Sequence, residues 1–166
     1  MDEHEVEVEV QVKDIALDPS LNVPVVMLAT RDGVSVLPIW IGAFEANAIA
    51  LFFEGSQPAR PMTHDLFISS LGALGAKITR LVVNDLVDST FVSLLYISQG
   101  GRQSTIDSRP SDGIALALRA GAPIFVRRKV FEKASLQQES VASVAEAAAD
   151  EDEEGEALPG KTEWQM

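Results

Sequence analysis

Three charged residues fall within six positions of the chain: Asp107, Arg109 and Asp112. Carboxylates are the oxygen ligands that divalent metal ions prefer, and a guanidinium presents a planar fork of donors to anions. A second cluster, Thr63–Asp65, adds a histidine, the side chain type that exchanges protons near neutral pH. Together these residue types suit the binding of an anion or a metal ion and the transfer of a proton.

Both clusters lie where a helix is predicted to begin. Pro110 suits the first position of a helix, because its missing N–H costs nothing there, and Gly121 suits the position just past the end. The residues between them are almost wholly apolar, so this helix is predicted to be a buried, rigid support. Thr63 is predicted to be the N-cap of the other helix, which Gly75 ends.

Each of these charged residues also has a structural explanation. Acids in the first turn of a helix stabilise it by about 0.3–1 kcal/mol through the helix dipole. This stabilisation is a sufficient reason for an acid at Asp65, Asp112 and Glu45. Arg109 would form a buried ion pair with Asp107 or Asp112 just as readily as it would bind phosphate. The functional interpretation therefore depends on whether the fold brings the two helix starts together, where crowded acids perturb one another.

Composition restricts the class of function. The 166-residue chain has no cysteine, which excludes a thiolate nucleophile, a disulfide framework and a zinc–cysteine site. The net charge of -12 comes from the two ends, because residues 10–138 hold 11 acidic and 12 basic residues. The strong basic field that nucleic-acid binders usually carry is therefore missing. The best local basic patch is Arg127–Lys129.

Alternating and apolar segments predict the remaining strands. Residues 5–12 alternate between valine and polar residues, as in a strand with one wet face. Residues 23–30 and 34–41 are apolar and are joined by Asp32-Gly33, a strong hairpin signal, while Pro38 requires an edge position or a bulge. Two further strands, at 77–86 and 90–98, are apolar on both faces and are predicted to be central in a sheet covered on two sides. A short strand is predicted at 123–126, and a helix is predicted to begin at 130.

The segment Ala43–Glu54, which ends at Gly55, predicts a helix without a broad polar face. Such a helix is either deeply buried or partly covered by another subunit. The aromatic residues Trp40, Phe52 and Phe53 are predicted to lie in the core or in an interface rather than to stack on bases.

The composition changes after residue 134. We predict one domain over residues 1–134 and a tail over 135–166 that is alanine-rich, then acidic and largely disordered. The acidic start lacks the regions of a signal peptide, and no segment approaches the roughly 20 apolar residues of a membrane span. We expect a soluble, cytoplasmic protein.

Three motifs in register carry a resemblance to a known family. They are Pro38–Gly42 with Glu45 behind it, Arg60–Leu66, and Asp107–Ala117 with Pro123–Val126 after it. In this order and spacing the chain resembles the bifunctional nuclease domain over roughly residues 6–134. The third motif of that family often reads Asp-Ala-Arg-Pro-Ser-Asp-Ala. Here Ser108 and Gly113 replace small residues, which should not change the chemistry, although Gly113 weakens the helix slightly relative to alanine.

The resemblance implies an α+β fold. The predicted architecture is a mixed, mostly antiparallel β-sheet packed with about three to four α-helices, in a single domain plus an acidic C-terminal tail. The resemblance also implies a nuclease with DNA and RNA as substrates and a homodimer or higher homo-oligomer. The lack of a long apolar segment predicts no membrane partner. It transfers no catalytic mechanism, so the site has to be assigned from the residues.

Phosphodiester cleavage needs groups that neutralise the phosphate, activate water or a 2′-hydroxyl, and protonate the leaving oxygen. The predicted catalytic residues are Glu45, His64, Asp65, Asp107, Arg109 and Asp112. Substrate contacts are predicted for Arg60, Thr63, Ser111, Arg127 and Arg128. A divalent metal cofactor, Mg²⁺ or Mn²⁺, is predicted to bind Asp65 and Asp112, with Asp107 and Glu45 as possible additions.

The alternative is a non-catalytic oligomeric binding or regulatory module. In that interpretation the polar helix starts are structural, and the helix at Ala43–Phe53 builds the subunit interface. The missing basic face favours this alternative, although a weak enzyme acting on small or single-stranded substrates fits it as well.

Overall fold

The alternating segment at the start of the chain forms a long strand, β1 (Glu7–Asp18), in the computed structural model, which describes residues 5–138. Two strands follow it, β2 (Val23–Thr30) and β3 (Val36–Trp40). They pair antiparallel across the predicted hairpin turn, where Gly33 adopts a φ of 72°. Pro38 lies in β3, which is an edge strand, as its missing N–H requires.

Four more strands complete one seven-stranded sheet. They are β4 (Ala76–Val87), β5 (Thr90–Gln99), β6 (Arg102–Ser108) and β7 (Ile124–Arg127). The spatial order is β3-β2-β1-β7-β4-β5-β6, and β4 pairs with β7 in the parallel direction while the other neighbouring pairs are antiparallel. The predicted mixed, mostly antiparallel sheet is confirmed.

Within the described residues 5–138, four helices accompany this sheet. They are α1 (Ala43–Phe53), α2 (Thr63–Ala73), α3 (Pro110–Ala120) and α4, over residues 128–138. The predicted α+β fold is therefore confirmed. Among the helices of residues 5–138, none is long and apolar enough to cross a membrane, and the expected cytoplasmic location stays a prediction.

Helix α3 is the most deeply buried of these helices. It contacts α1, α2, β4 and β5, and Ile114, Ala115 and Ala117 are completely buried. It begins at Pro110 and ends at Gly121, which has the left-handed φ of 63° that glycine adopts without strain. The sequence-based prediction of a buried helix between these two residues is confirmed.

The two faces of the sheet differ in character. Leu81 of β4 lies in the core on the side of α3, and neighbouring side chains alternate between faces. Arg80 therefore lies on the opposite face, where it pairs with Glu7 at 2.6 Å and lies 4.1 Å from the centre of the Tyr96 ring. The predicted central position of β4 is confirmed, and this second face combines the Arg80–Glu7 ion pair with apolar packing, since Val82 on the same face is completely buried.

One alternative for α1 is excluded, and one local expectation is wrong. Helix α1 is not deeply buried, because only Ala46 and Ile49 are buried and Phe44 is 89% exposed, so partial cover by another subunit stays a prediction. Thr63 is not an N-cap but the first residue of α2, and Met62 before it is the N-cap. The N–H of Met62 donates to the side chain of Asp65 at 2.9 Å, so the first-turn acid satisfies the N–H of the N-cap residue, which is one of the two bonds of a capping box.

Residues up to Ala134 belong to one compact unit. The predicted alanine-rich and acidic segments of the tail lie beyond residue 138, outside the described residues. The boundary at residue 134 and the disorder of the tail stay predictions.

Candidate active site

The starts of three helices meet at one cavity. Glu45 is the third residue of α1, His64 is the second residue of α2, and Asp112 is the third residue of α3. All three side chains, with Arg109, line a cavity of about 370 Å³. Because each helix start carries partial positive charge and backbone N–H groups without helical partners, their convergence favours an anion.

Arg109 connects two of the acids at this cavity. Its Nε donates to Oδ2 of Asp112 at 2.7 Å, and its Nη2 lies 3.0 Å from Oε1 of Glu45. The arginine side chain is nevertheless 65% exposed, whereas that of Glu45 is only 18% exposed. A guanidinium has five N–H donors, so Arg109 has donors to offer a phosphate while it holds both carboxylates.

Asp112 also binds His64, which fixes the form of the imidazole. Nε2 of His64 lies 3.2 Å from Oδ1 of Asp112, and the histidine side chain is 14% exposed. Burial of Asp112 opposes its ionisation, but hydrogen bonds from Arg109 and His64 outweigh burial and hold the pKa of Asp112 below its usual value. An ionised carboxylate only accepts hydrogen bonds, so Nε2 carries the hydrogen and Nδ1 of the neutral ring carries the lone pair.

The second predicted acid, Asp65, binds a different arginine. Its Oδ1 accepts from Nε of Arg119 at 2.7 Å, and its Oδ2 accepts from the N–H of Met62. The hydrogen bond from Arg119, followed by that from Met62, lowers the pKa of Asp65. Arg119 also donates to the carbonyl oxygens of Ala48 and Ala115, so this ion pair ties α1, α2 and α3 together.

Sequence analysis missed Arg119, although a signal for it existed. Arg119 follows Asp112 by seven positions, which is about two turns of a helix. The two side chains therefore share one face of α3, and both line the cavity at the three helix starts. A helical wheel of α3 would have placed this arginine beside the predicted site.

The two main predicted metal ligands are bound to different partners. Asp65 is held by Arg119, and Asp112 is held by Arg109 and His64. Within residues 5–138, no group of three or more histidine, cysteine, aspartate or glutamate side chains is arranged to hold a metal ion. These donors do not fit a resident Mg²⁺ or Mn²⁺ in this arrangement, and a metal requirement stays a prediction.

Asp107 lies away from the cluster. It is an exposed residue of β6, next to Ser108. The hydroxyl of Ser108 faces the core, where it lies 2.9 Å from Oγ of the completely buried Ser93. Because side chains alternate along a strand, Asp107 points to the opposite face of the sheet from α3.

The predicted substrate-binding residues divide into two groups. Thr63 lines the cavity at the helix starts, and Ser111 is buried but lines a neighbouring cavity of about 250 Å³ that also contains Arg109. Arg60 is exposed in the segment between α1 and α2. Arg127 of β7, three strands from β6, is bonded to Glu5, and Arg128 is exposed at the start of α4.

A family model described as "Bifunctional nuclease domain" matches residues 26–139. The chain therefore belongs to the bifunctional nuclease domain family, which confirms the resemblance seen in its motifs. The matched region contains the starts of α1, α2 and α3 and so all four residues of the cluster: Glu45, His64, Arg109 and Asp112.

Individual relatives extend this comparison. Two proteins of Mycobacterium tuberculosis, both named as uncharacterized (MT1877 and Rv1829), are 41% identical over 128 residues, which are 77% of this chain and 76% of theirs. Bifunctional nuclease 2 of Oryza sativa subsp. japonica is 24% identical over 129 residues, which are 75% of this chain and 40% of the rice protein. The chain is thus similar to a protein that is named as a nuclease, at low identity.

Proposed function

We propose that this chain is a nuclease that cleaves phosphodiester bonds of DNA and RNA with broad specificity. The observation that carries the proposal is the cluster of His64, Asp112, Arg109 and Glu45 at the convergence of three helix starts. Membership in the bifunctional nuclease domain family and the name of the rice relative support this class of reaction.

Water is the nucleophile in this proposal, because DNA has no 2′-hydroxyl to attack its own phosphate. Nδ1 of His64 accepts a proton from water as the water oxygen bonds to phosphorus. The bond from phosphorus to the leaving oxygen then breaks, and that oxygen takes a proton from solvent. His64 finally releases its proton to solvent, so the reaction consumes one water molecule and regenerates the site.

The other residues of the cluster position these groups. Asp112 accepts from Nε2 of His64 and thereby keeps the lone pair on Nδ1. Arg109 binds the non-bridging oxygens of the phosphate, where negative charge builds up in the transition state. Glu45 holds the guanidinium of Arg109 from the side of α1. In this proposal Asp65 acts on structure through Arg119 and does not line the cavity that contains His64.

We also propose that the chain forms a homodimer or higher homo-oligomer through α1. Phe44 and Phe53 of this helix are 89% and 53% exposed. Large exposed apolar side chains clustered on one element are typical of protein interfaces. This proposal agrees with the self-association implied by the resemblance. A second subunit would then bury the apolar surface that α1 exposes in the single chain.

The test is the cleavage of labelled DNA and RNA oligonucleotides by the wild-type protein, His64→Gln and Asp112→Asn. We expect both variants to lose roughly 10²–10⁴-fold in rate, the usual contribution of a general base, while their circular dichroism stays native. Asp88→Asn is the matched control, because this residue is exposed at the β4–β5 turn and its left-handed φ of 47° suits asparagine.

Full activity in both variants would remove this site from the proposal. A wild-type protein that cleaves neither substrate, with added Mg²⁺, Mn²⁺ or EDTA, would overturn the nuclease function and favour the non-catalytic alternative. The same assay tests the metal prediction, since loss of activity in EDTA and its recovery with either ion would support it.

A further inference from the structure

A second cavity adjoins the first. It measures about 440 Å³ and shares the lining residues Leu51, Met62 and Arg119 with the cavity at the helix starts. Because the two cavities are neighbours on the surface, a nucleotide whose phosphate lies beside Arg109 has this space within its reach.

The wall of the second cavity is mainly apolar and includes one aromatic ring. Phe52 lines it and is 40% exposed, so its ring is accessible to a ligand. Pro58 and Pro61 add apolar surface, while Gln57 and Ser69 add hydrogen-bonding groups. A mostly apolar pocket with a few polar groups is typical of sites for small planar ligands, and aromatic side chains stack on nucleobases.

We propose that this second cavity is a subsite for one unpaired nucleobase of a single-stranded DNA or RNA substrate. The inference rests on the proposed nuclease function, since the phosphate of the same nucleotide would lie at Arg109. A base inside a duplex has both faces covered by its neighbours, so it reaches such a pocket only when it is unpaired or flipped out. The subsite therefore selects single strands.

The charge of the domain supports the same substrate class. Residues 10–138 contain 11 acidic and 12 basic residues, and two of the basic side chains at the cavities, Arg109 and Arg119, are bound to carboxylates. Few phosphates can then be neutralised, so base contacts must supply much of the affinity. Neutralising at most two phosphates of a single strand predicts a salt slope no steeper than about -1.4.

The experiment measures binding without cleavage, in the His64→Gln background. Fluorescence anisotropy is recorded for a labelled single-stranded DNA of about six nucleotides, for the same strand with an abasic site at each position in turn, and for the corresponding duplex. We expect at least one abasic site to weaken binding roughly fivefold or more, because it removes the stacked base. The duplex should bind more weakly than the intact strand.

Two phenylalanines of similar exposure provide a matched pair of variants. Phe52→Ala should weaken binding of the intact strand roughly fivefold or more and remove the difference between intact and abasic strands. Phe67→Ala removes the same side chain from α2, where it is 41% exposed, but Phe67 lines neither of the two cavities, so this variant should bind as the background does. Equal effects of the two variants would overturn the subsite.

An affinity that does not depend on the base at any position, a duplex that binds as tightly as the single strand, or a salt slope steeper than about -1.4 would also overturn it. Cleavage by the wild-type protein keeps the two proposals separate. Cleavage together with base-independent binding overturns the subsite alone. Base-dependent binding that Phe52→Ala abolishes, without cleavage, supports the subsite and overturns the nuclease.

Discussion

Asp65 and Asp112 hold equivalent places in their sequence motifs, each as the third residue of a helix. The two acids differ in the residues that they bind. Asp65 binds Arg119, whose remaining bonds go to backbone carbonyls of two other helices. Asp112 binds the exposed Arg109 and the histidine at a cavity. The same residue type at the same helical position therefore ties helices together in one case and holds a histidine and an exposed arginine at a cavity in the other.

The ion pair of Asp65 leads to a prediction about acid stability. Hydrogen bonds from Arg119 and then Met62 lower the pKa of Asp65 in the folded protein. A lowered folded pKa contributes stability that is present above the unfolded pKa, at about pH 4, and is lost as the pH falls through the folded pKa. Asp65→Asn should therefore be less stable than the wild type at pH 7, and the difference should shrink below about pH 4.

Urea unfolding at about pH 7 and about pH 3 measures this difference. Asp88→Asn serves as the control and should stay within about 0.5 kcal/mol of the wild type at neutral pH, because Asp88 is an exposed turn residue. A gap between wild type and Asp65→Asn that is as wide at the acidic pH as at pH 7 would argue against the ion pair as its cause.

At the scale of the element, α3 comes unusually close to the sheet, and Gly113 permits the approach. A Cβ at this position would lie 2.4 Å from Cδ1 of Leu81 and 3.2 Å from Oγ of Ser108. Leu81 is completely buried in the core, so it has little room to move. From the sequence, Gly113 is expected only to weaken the helix slightly. The structure shows that close packing against Leu81 leaves no room for a Cβ at this position.

Gly113→Ala should accordingly destabilise the protein by about 1–3 kcal/mol, the usual cost of overpacking a core. Gly72→Ala is the matched control, because Gly72 also lies within a helix and a Cβ there would meet nothing within 4 Å. That change should be neutral or stabilising by up to about 1 kcal/mol, since alanine favours the helix. Both free energies of unfolding come from urea titrations, and stabilisation by Gly113→Ala would contradict the packing argument.

At the scale of the whole molecule, the sheet and Arg119 bring together helices that are far apart in the chain. The Nη2 group of Arg119 reaches the carbonyl oxygen of Ala48 at 2.9 Å across 71 positions. β7 lies between β1 and β4, so the segment after α3 returns to the middle of the sheet. The starts of α1, α2 and α3 then share one cavity, while Phe44 and Phe53, at the two ends of α1, stay exposed.

Those phenylalanines allow the proposed self-association to be tested. The wild-type protein should show at least twice the monomer mass of 17.9 kDa in light scattering after gel filtration. Phe53→Glu should shift the mass toward the monomer, because a charge buried in an apolar interface is costly. Val34→Glu introduces the same charge at a residue that is 81% exposed in the β2–β3 turn, and it should leave the mass unchanged. A wild-type protein that is monomeric at all concentrations would contradict the proposal.

Much of the fold was predictable because its signals are local. Pro110 and Gly121 bound α3, Asp32-Gly33 joins two strands, and Pro38 requires an edge, since each of these effects depends on one residue and its immediate neighbours. The burial of α1 was predicted less well. Its apolar composition indicates that something should cover it but does not say whether that cover is the same chain.

By itself, the sequence determined the strands, the helix starts and the polar residues placed at them. Only the tertiary structure decided which acid meets which arginine, because such pairs form across the fold: 54 positions separate Asp65 from Arg119. It also turned Asp107 away from α3, since alternation separates Asp107 from Ser108 but does not say which of them faces the helices. The cavities beside Arg109 and Phe52 likewise form only where α1, α2 and α3 meet. Their lining comes from separate parts of the chain, so no single segment predicts them.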